Sequence, residues 1–257
     1  MKKISVIGFE KVEMFGEPDL IDSKYVSDII SSFNFKVIGI TGMWGNSGST
    51  GWKRRMLSND LSFRKYSFNY LVDCIDLCNE LGGNKINVCL FSDPMISFDF
   101  NHGFISKNIK ENILCKSFTI LKDLTKVSED YGIQLLIEPL NRYSTPFCST
   151  LDDSLFIIEN CNELKVLLDT FHMNIEEDSF RNAIYKSKNF IEHLHFADNN
   201  RKMPGFGHIN FEEILLALKD ISYSKTISYE PTVLDVNYID DLKFGKKYIE
   251  KIEKFCL

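Results

Sequence analysis

Short runs rich in Ile, Leu and Val alternate along this chain with longer segments of helical period, a pattern that yields parallel strands joined by crossover helices. Strands are expected at residues 11–15, 37–44, 85–91, 133–139, 165–171, 191–197 and 226–231. Helices are expected between and after them, at about 21–33, 64–81, 112–131, 151–161, 178–188, 210–221 and 238–255. Some boundaries carry their own signals. Asn210 stands three residues before Glu213, a helix-start pattern, and Gly132 closes the helix that ends near Tyr131. The architecture is therefore α/β. A length of 257 residues is the ordinary size of one (β/α) barrel, so a single domain over 1–257 is expected.

Composition narrows the class of function. With 44% apolar and 26% charged residues the chain groups with soluble globular proteins. The net charge is −6 and the lysines and arginines are scattered, so the basic footprint that a phosphate backbone demands is missing and nucleic acid is not an expected partner. No apolar run approaches the length that spans a bilayer, and the stretch after Met1-Lys2-Lys3 is too short for a signal peptide. No membrane association is expected. The seven cysteines are odd in number and form no CxxC pair, which fits a reducing cytoplasm. Cys74 and Cys78 lie four apart on one expected helix and read as core packing.

Chemistry concentrates where strands end. The segments Leu136-Ile137-Glu138-Pro139, Leu167-Leu168-Asp169-Thr170, His193-Leu194-His195-Phe196 and Ser228-Tyr229-Glu230-Pro231 each put an acid or an imidazole at the end of a buried run. In a parallel α/β barrel that carboxyl edge is where active sites are built. A lone carboxylate there is costly to desolvate, so it needs a cation, a hydrogen-bond network or a raised pKa. Three carboxylates and one imidazole on a common rim have one shared solution, a bound divalent ion. The mostly oxygen donor set suits Mn²⁺, Mg²⁺ or Co²⁺, and it is unlike a closed structural zinc site. His193 and His195 point to the same side of a strand, with His193 a layer deeper. His195 is therefore assigned to the metal and His193 to its surroundings or the core. The segments 45–60 and 92–108 follow strands directly and are candidate walls of a pocket, where Trp44 and Trp52 either stack on a sugar's apolar face or anchor the loop.

The stretches Glu138-Pro139-Leu140-Asn141-Arg142-Tyr143, Leu168-Asp169-Thr170-Phe171-His172-Met173-Asn174-Ile175-Glu176-Glu177 and His195-Phe196-Ala197-Asp198-Asn199-Asn200-Arg201, followed by Pro204-Gly205-Phe206-Gly207-His208, resemble the xylose-isomerase-like TIM-barrel sugar isomerases and epimerases. Within that group they look most like the ketose 3-epimerases of the D-tagatose and D-psicose type. The resemblance runs from about Gly8 to the C-terminus, with the motifs in the family's order and spacing. It implies that Glu138, Asp169, His195 and Glu230 bind a divalent metal, Mn²⁺ foremost, and that Glu138 and Glu230 are also the catalytic acid–base pair. By the same resemblance His172 and Arg201 bind substrate, a small sugar; a homo-oligomer is a separate expectation. The implied reaction is C3 epimerisation of a ketose through a cis-enediolate, one carboxylate removing the proton alpha to the carbonyl and the other delivering one to the opposite face.

Two departures modify the expectation. The family's further substrate-contacting glutamate, six residues after the metal-binding one, is Ser144 here, which leaves open another ketose, an inositol derivative or a sugar phosphate. The segment Gly8-Phe9-Glu10-Lys11-Val12-Glu13-Met14 looks like the family's second strand, so a barrel of seven recognisable strands is expected, lacking the first β/α unit, with residues 2–7 as the tail of its helix. Such a barrel should be open between 11–15 and 226–231, with partner contacts or a swapped segment covering the gap and Glu230 as the most mobile ligand. The alternatives are an aldose–ketose or sugar phosphate isomerase, an inosose-type lyase, and a barrel that only binds metal or sugar. A hydrolase of the endonuclease IV type needs more than the five histidines present.

Overall fold

The computed structural model describes residues 2–43, 50–93, 105–232 and 238–256. A short helix α1 (Lys2–Val6) leads into β1 (Lys11–Phe15), α2 (Ser23–Ser32), β2 (Lys36–Gly42), α3 (Leu61–Glu80), β3 (Lys85–Val88), α4 (Lys107–Leu114), α5 (Phe118–Asp130), β4 (Gln134–Ile137) and α6 (Leu151–Asn160). The chain continues through β5 (Lys165–Asp169), α7 (Thr170–Glu176), α8 (Phe180–Ser187), β6 (Ile191–Phe196), α9 (Phe211–Asp220), β7 (Thr226–Tyr229) and α10 (Tyr238–Cys256). The seven strands form one sheet in the order β1 to β7, every neighbouring pair parallel. Together with the helices they make a nearly closed TIM-type barrel.

Helix starts follow from side chains that accept the free N–H groups of a first turn. Asp22 accepts from Tyr25 N–H, Asp60 from Ser62 N–H and Asn210 from Glu213 N–H. Gly132 takes a left-handed φ of 65° after α5, as its position at a helix end anticipated. Several expectations change, and the strands expected at 85–91 and 133–139 end early, at Val88 and Ile137. The helix expected at 112–131 divides into α4 and α5 around a tighter turn, Cys115–Ser117, where the buried Ser117 hydroxyl donates to Leu114 O (2.7 Å). The strand expected at 165–171 stops at Asp169, because its carboxylate accepts from Phe171 N–H (2.7 Å) and so starts α7 at residue 170. Cys74 and Cys78 are buried free thiols on α3, as their spacing suggested.

Side chains of non-adjacent strands meet in the interior, and many of them are polar. Lys85 Nζ of β3 donates to Thr226 Oγ1 of β7 (3.2 Å), and His193 of β6 lies 2.8 Å from that hydroxyl and 3.1 Å from Ser228 Oγ. The apolar core lies largely between the sheet and its helices, where Ile86, Val88, Leu135, Ile137, Val166, Leu168, Leu194 and Phe196 are buried.

The sheet is open where the sequence anticipated. Among the described residues no backbone ladder joins β1 to β7, and a cavity of about 650 Å³ lies between them, lined by Phe9, Val12, Met14, Ile227 and Tyr229 among others. The Phe9 ring packs edge-on against Tyr229 (5.7 Å) across this seam, and Phe15 at the end of β1 remains 67% exposed. Residues 2–6 are helical.

Candidate metal centre

Four successive strands converge on one point at the carboxyl edge. Glu138 follows β4, Asp169 ends β5, His195 is the penultimate residue of β6 and Glu230 follows β7. Parallel register aligns them, with Asp169 opposite His195 and Glu230 N–H donating to Phe196 O (3.1 Å). One donor atom from each of the four lies within 4.8 Å of all the others. His195 Nδ1 stands 3.2 Å from Glu230 Oε2 and 3.9 Å from Glu138 Oε1. The side chains of Glu138, Asp169 and His195 are almost fully enclosed, whereas that of Glu230 keeps 23% of its surface. Glu230 is thus the most exposed of the four.

Glu138 is held by its far oxygen. Asn87 Nδ2 and the Cys89 thiol both donate to Oε2, the thiol at 3.3 Å. The Asn87 amide cannot flip, because its Oδ1 accepts from Gly42 N–H (2.7 Å). Oε1 is left facing the imidazole. Burial, added to by the Glu230 and Asp169 carboxylates, pushes the Glu138 carboxyl up to about 8. Burial also opposes ionisation of Asp169, but Arg201, His172 and His195 outweigh it and hold that carboxyl below its usual range. For His195 burial disfavours the charged ring, and the Glu230 and Glu13 carboxylates reverse this and raise its pKa well above the ordinary value.

These features test whether a metal fits. A neutral His195 whose Nδ1 lone pair faced two carboxylate oxygens would be repelled by both, so a proton or a cation belongs between them. Three acids crowded into a buried space demand the same. The guanidinium of Arg201 meets part of the demand, with Nη1 2.6 Å from Asp169 Oδ2 and Nη2 hydrogen-bonded to Glu230 Oε2. A mostly oxygen set with one imidazole matches a hard divalent ion.

The expected substrate-binding pair lies beside the cage. His172, on α7, is buried, and its Nδ1 is 2.7 Å from Asn141 Nδ2. Asn141 Oδ1 accepts from the N–H groups of Tyr143 and Ser144, so Nδ2 is the donor, His172 Nδ1 the acceptor, and His172 Nε2 the protonated nitrogen. Burial keeps this ring below its ordinary pKa. The loop carrying Arg201 is wrapped around Asp198, a buried carboxylate that accepts from the N–H groups of Asn199, Gly205, Gly207 and Ile209. A β-carbon on Gly207 would collide with the Asn199 and Asp198 side chains. Arg201 itself sits at a φ of 58°, its carbonyl accepting from Thr232 N–H and its guanidinium over the Phe171 ring (4.9 Å).

Ser144, where a glutamate was the family expectation, donates its hydroxyl to Asn141 Oδ1 (3.4 Å) in the same turn. Trp52 packs edge-on against Phe63 (5.5 Å), a contact that anchors its segment. Trp44, and residues 45–49 and 94–104 of the two expected pocket walls at 45–60 and 92–108, lie outside the described residues. Sequence reasoning passed over Asn87, Cys89 and Asn141, although a lone asparagine inside Ile86–Val88 was a signal. It also passed over Glu13. Its carboxylate lies 3.0 Å from His195 Nε2 and 3.3 Å from His193 Nε2, and burial of the acid is outweighed by the two imidazoles, which hold it well below its usual range.

Comparison with known proteins agrees with this fold. D-psicose 3-epimerase of Ruminiclostridium cellulolyticum is 31% identical over 240 residues, covering 91% of this chain and 77% of that protein. The 3-dehydro-D-guloside 4-epimerase of Escherichia coli is 35% identical over 112 residues, 43% of either chain. The crystal structure of D-psicose 3-epimerase with D-tagatose from Clostridium cellulolyticum superposes with a TM-score of 0.80 at 23% identity, covering 98% of this chain and 92% of that one. The family model of the xylose isomerase-like TIM barrel matches residues 1–248. A seven-stranded parallel barrel, with its acids and imidazole gathered on the carboxyl rim and a family match over nearly its whole length, makes this chain a member of the xylose isomerase-like TIM-barrel family.

Proposed function

We propose that the protein is a divalent-metal-dependent sugar isomerase of the epimerase class that inverts C3 of a ketose. The observation that carries this reading is the pair of carboxylates, Glu138 and Glu230, which enter one site from β4 and β7 with β5 and β6 between them. Glu138, Asp169, His195 and Glu230 would hold the ion, Mn²⁺ in our reading. When bound, it supplies stabilisation for negative charge on the substrate's oxygens as the α-proton leaves.

The remaining work falls to side chains. One glutamate takes the C3 proton, and the other returns a proton to the opposite face, so the configuration inverts while the atom count is unchanged. Two carboxylates suit inversion at one carbon. A single base moving a proton between neighbouring carbons would give an aldose instead. His172, with Nε2–H free to donate, and Arg201 are placed to bind the sugar's oxygens. Both named relatives are epimerases, and each epimerises a carbon that this chemistry can reach beside a ketone.

The test is a screen of free and phosphorylated ketoses with Mn²⁺, the products resolved by chiral chromatography. A C3 epimer from at least one ketose is expected. An aldose product, or a product short of one water, would overturn the reading in favour of an isomerase or a lyase.

We place the enzyme in the cytoplasm, in keeping with free and mostly buried thiols; no helix among the described residues is long and apolar enough to cross a membrane. We further propose that it works as a homo-oligomer, because two sheet edges and an exposed Phe15 meet at the β1–β7 seam. Light scattering on the eluting protein checks this, and a monomeric mass at micromolar concentration would remove it.

Arg201→Ala should raise KM for the ketose about 10- to 100-fold, the value of one or two charge-assisted hydrogen bonds, with a smaller effect on kcat. Steady-state kinetics at saturating Mn²⁺ decide it. An unchanged KM would take Arg201 out of substrate binding.

A further inference from the structure

An imidazole that binds a metal through one nitrogen must keep the other nitrogen protonated, and the partner of that N–H sets the tautomer and the plane of the ring. For His195 the nitrogen facing the four-residue cage is Nδ1. The opposite nitrogen, Nε2, is 3.0 Å from Glu13 Oε2. An ionised carboxylate only accepts, so this contact requires Nε2–H and leaves the Nδ1 lone pair for an ion.

The placement of Glu13 is built into the fold. The β1–β2 register slips between Val12 and Glu13, so that Val12 faces Val37 while Glu13 faces Gly39, and an irregularity of this kind re-aims a side chain. Its other oxygen, Oε1, lies 3.3 Å from His193 Nε2. His193 is fixed in turn by Thr226 and Ser228. One carboxylate therefore joins two buried imidazoles of β6 to β1, a strand that, among the described residues, is hydrogen-bonded on one side only.

We infer that Glu13 is a positioning residue for the metal centre, holding His195 as the Nε2–H tautomer with Nδ1 directed at the ion and tying the open edge strand β1 to the metal-binding strand β6. This inference rests on the metal-site reading above and assigns to Glu13 no contact with ion or substrate.

The test compares wild type, Glu13→Gln, Glu13→Ala and Glu138→Gln by calorimetric titration with Mn²⁺. Glu13→Gln keeps size and shape but confronts one imidazole with an NH₂ group, and its Mn²⁺ affinity should fall about 10- to 100-fold, the usual cost of losing such a partner. The second readout is the ¹⁵N-histidine spectrum of the Mg²⁺-loaded protein. In the wild type the His195 Nε2–H proton should be sharp, downfield and slow to exchange; in Glu13→Gln it should move upfield and exchange faster. A change confined to general stability would not move that proton. Should Glu13→Ala fail to fold, the isosteric glutamine variant still decides. The inference is overturned if Glu13→Gln binds Mn²⁺ as tightly as wild type while Glu138→Gln does not, or if His195 Nε2 carries no proton in the wild type. If wild type shows no saturable Mn²⁺ binding, the metal reading itself fails. The Nε2–H resonance, recorded without an ion at a pH where the ring is neutral, then still decides the Glu13 contact.

Discussion

Glu138→Gln and Glu230→Gln are each expected to lower kcat by about 10²-fold or more at saturating Mn²⁺, the usual scale for losing an acid–base group. The fold should survive both changes. Glu138 is enclosed and its carboxyl is pushed up to about 8, so a neutral amide of the same shape relieves a strained charge rather than creating one. A second measurement separates the two roles of each residue. In D₂O, a variant that has lost one proton carrier can still exchange the C3 hydrogen of the epimer served by the other, without inverting it. Glu138→Gln and Glu230→Gln should therefore take up deuterium at C3 of opposite epimers. A variant that kept near-wild-type turnover would show that its glutamate is a ligand and nothing more, and one that bound no metal would need its exchange read at higher ion concentration.

Removing the ion should abolish turnover and lower the thermal midpoint. Ligand at 100 times its dissociation constant stabilises the native state by about 2.7 kcal/mol, which is on the order of 5–10 °C for a chain of this size. The loss should depend on pH with a definite sign. In the metal-free protein Glu138 and His195 both have raised pKa values, so their contribution is fully present below their unfolded values. It is lost as pH rises through about 8 for Glu138 and through the raised value of His195. Glu13 and Asp169 are shifted down, so their contribution is present above the unfolded value and lost only in acid. His172 and His193 are shifted down and act in the opposite direction only up to their unfolded value, so between about pH 7 and pH 8 the chelated protein should lose stability as pH rises. Added Mn²⁺ should restore more at pH 8 than at pH 6, because binding releases protons from these groups. Melting curves with EDTA and with Mn²⁺ at both pH values check this. Undiminished turnover in EDTA, or a larger gain at pH 6, would sink the mechanism.

The fold and most of the candidate site are written locally. An apolar run ending in Glu138, Asp169 or His195 declares both a buried strand and a polar rim, because each property depends on neighbours a few residues away. The strand expected to be buried before Glu230 is only half-buried, since β7 lies at the open edge of the sheet. The caps at Asp60 and Asn210 are local in the same sense. The expected strand through 165–171 failed at a place where two local signals compete. Leu167 and Leu168 favour extension, but the Asp169 carboxylate captures Phe171 N–H and turns the chain into α7, an outcome decided by geometry at one residue.

What the sequence by itself determined is the α/β alternation, the number and order of strands, and the chemical type of the rim, since periodicity and residue type fix which face is buried and which atoms reach the edge. Only the tertiary structure decided which distant groups share a hydrogen bond. Glu13 and His195 are 182 residues apart, and nothing in the period of either strand says that a register slip in β1 turns that carboxylate onto β6. The Asn87 amide, the Cys89 thiol and the Arg201 guanidinium likewise meet their carboxylates only because the sheet curls back toward closure. Pairing across a barrel interior depends on strand register and sheet curvature summed over the whole chain, and no local stretch of sequence carries that sum.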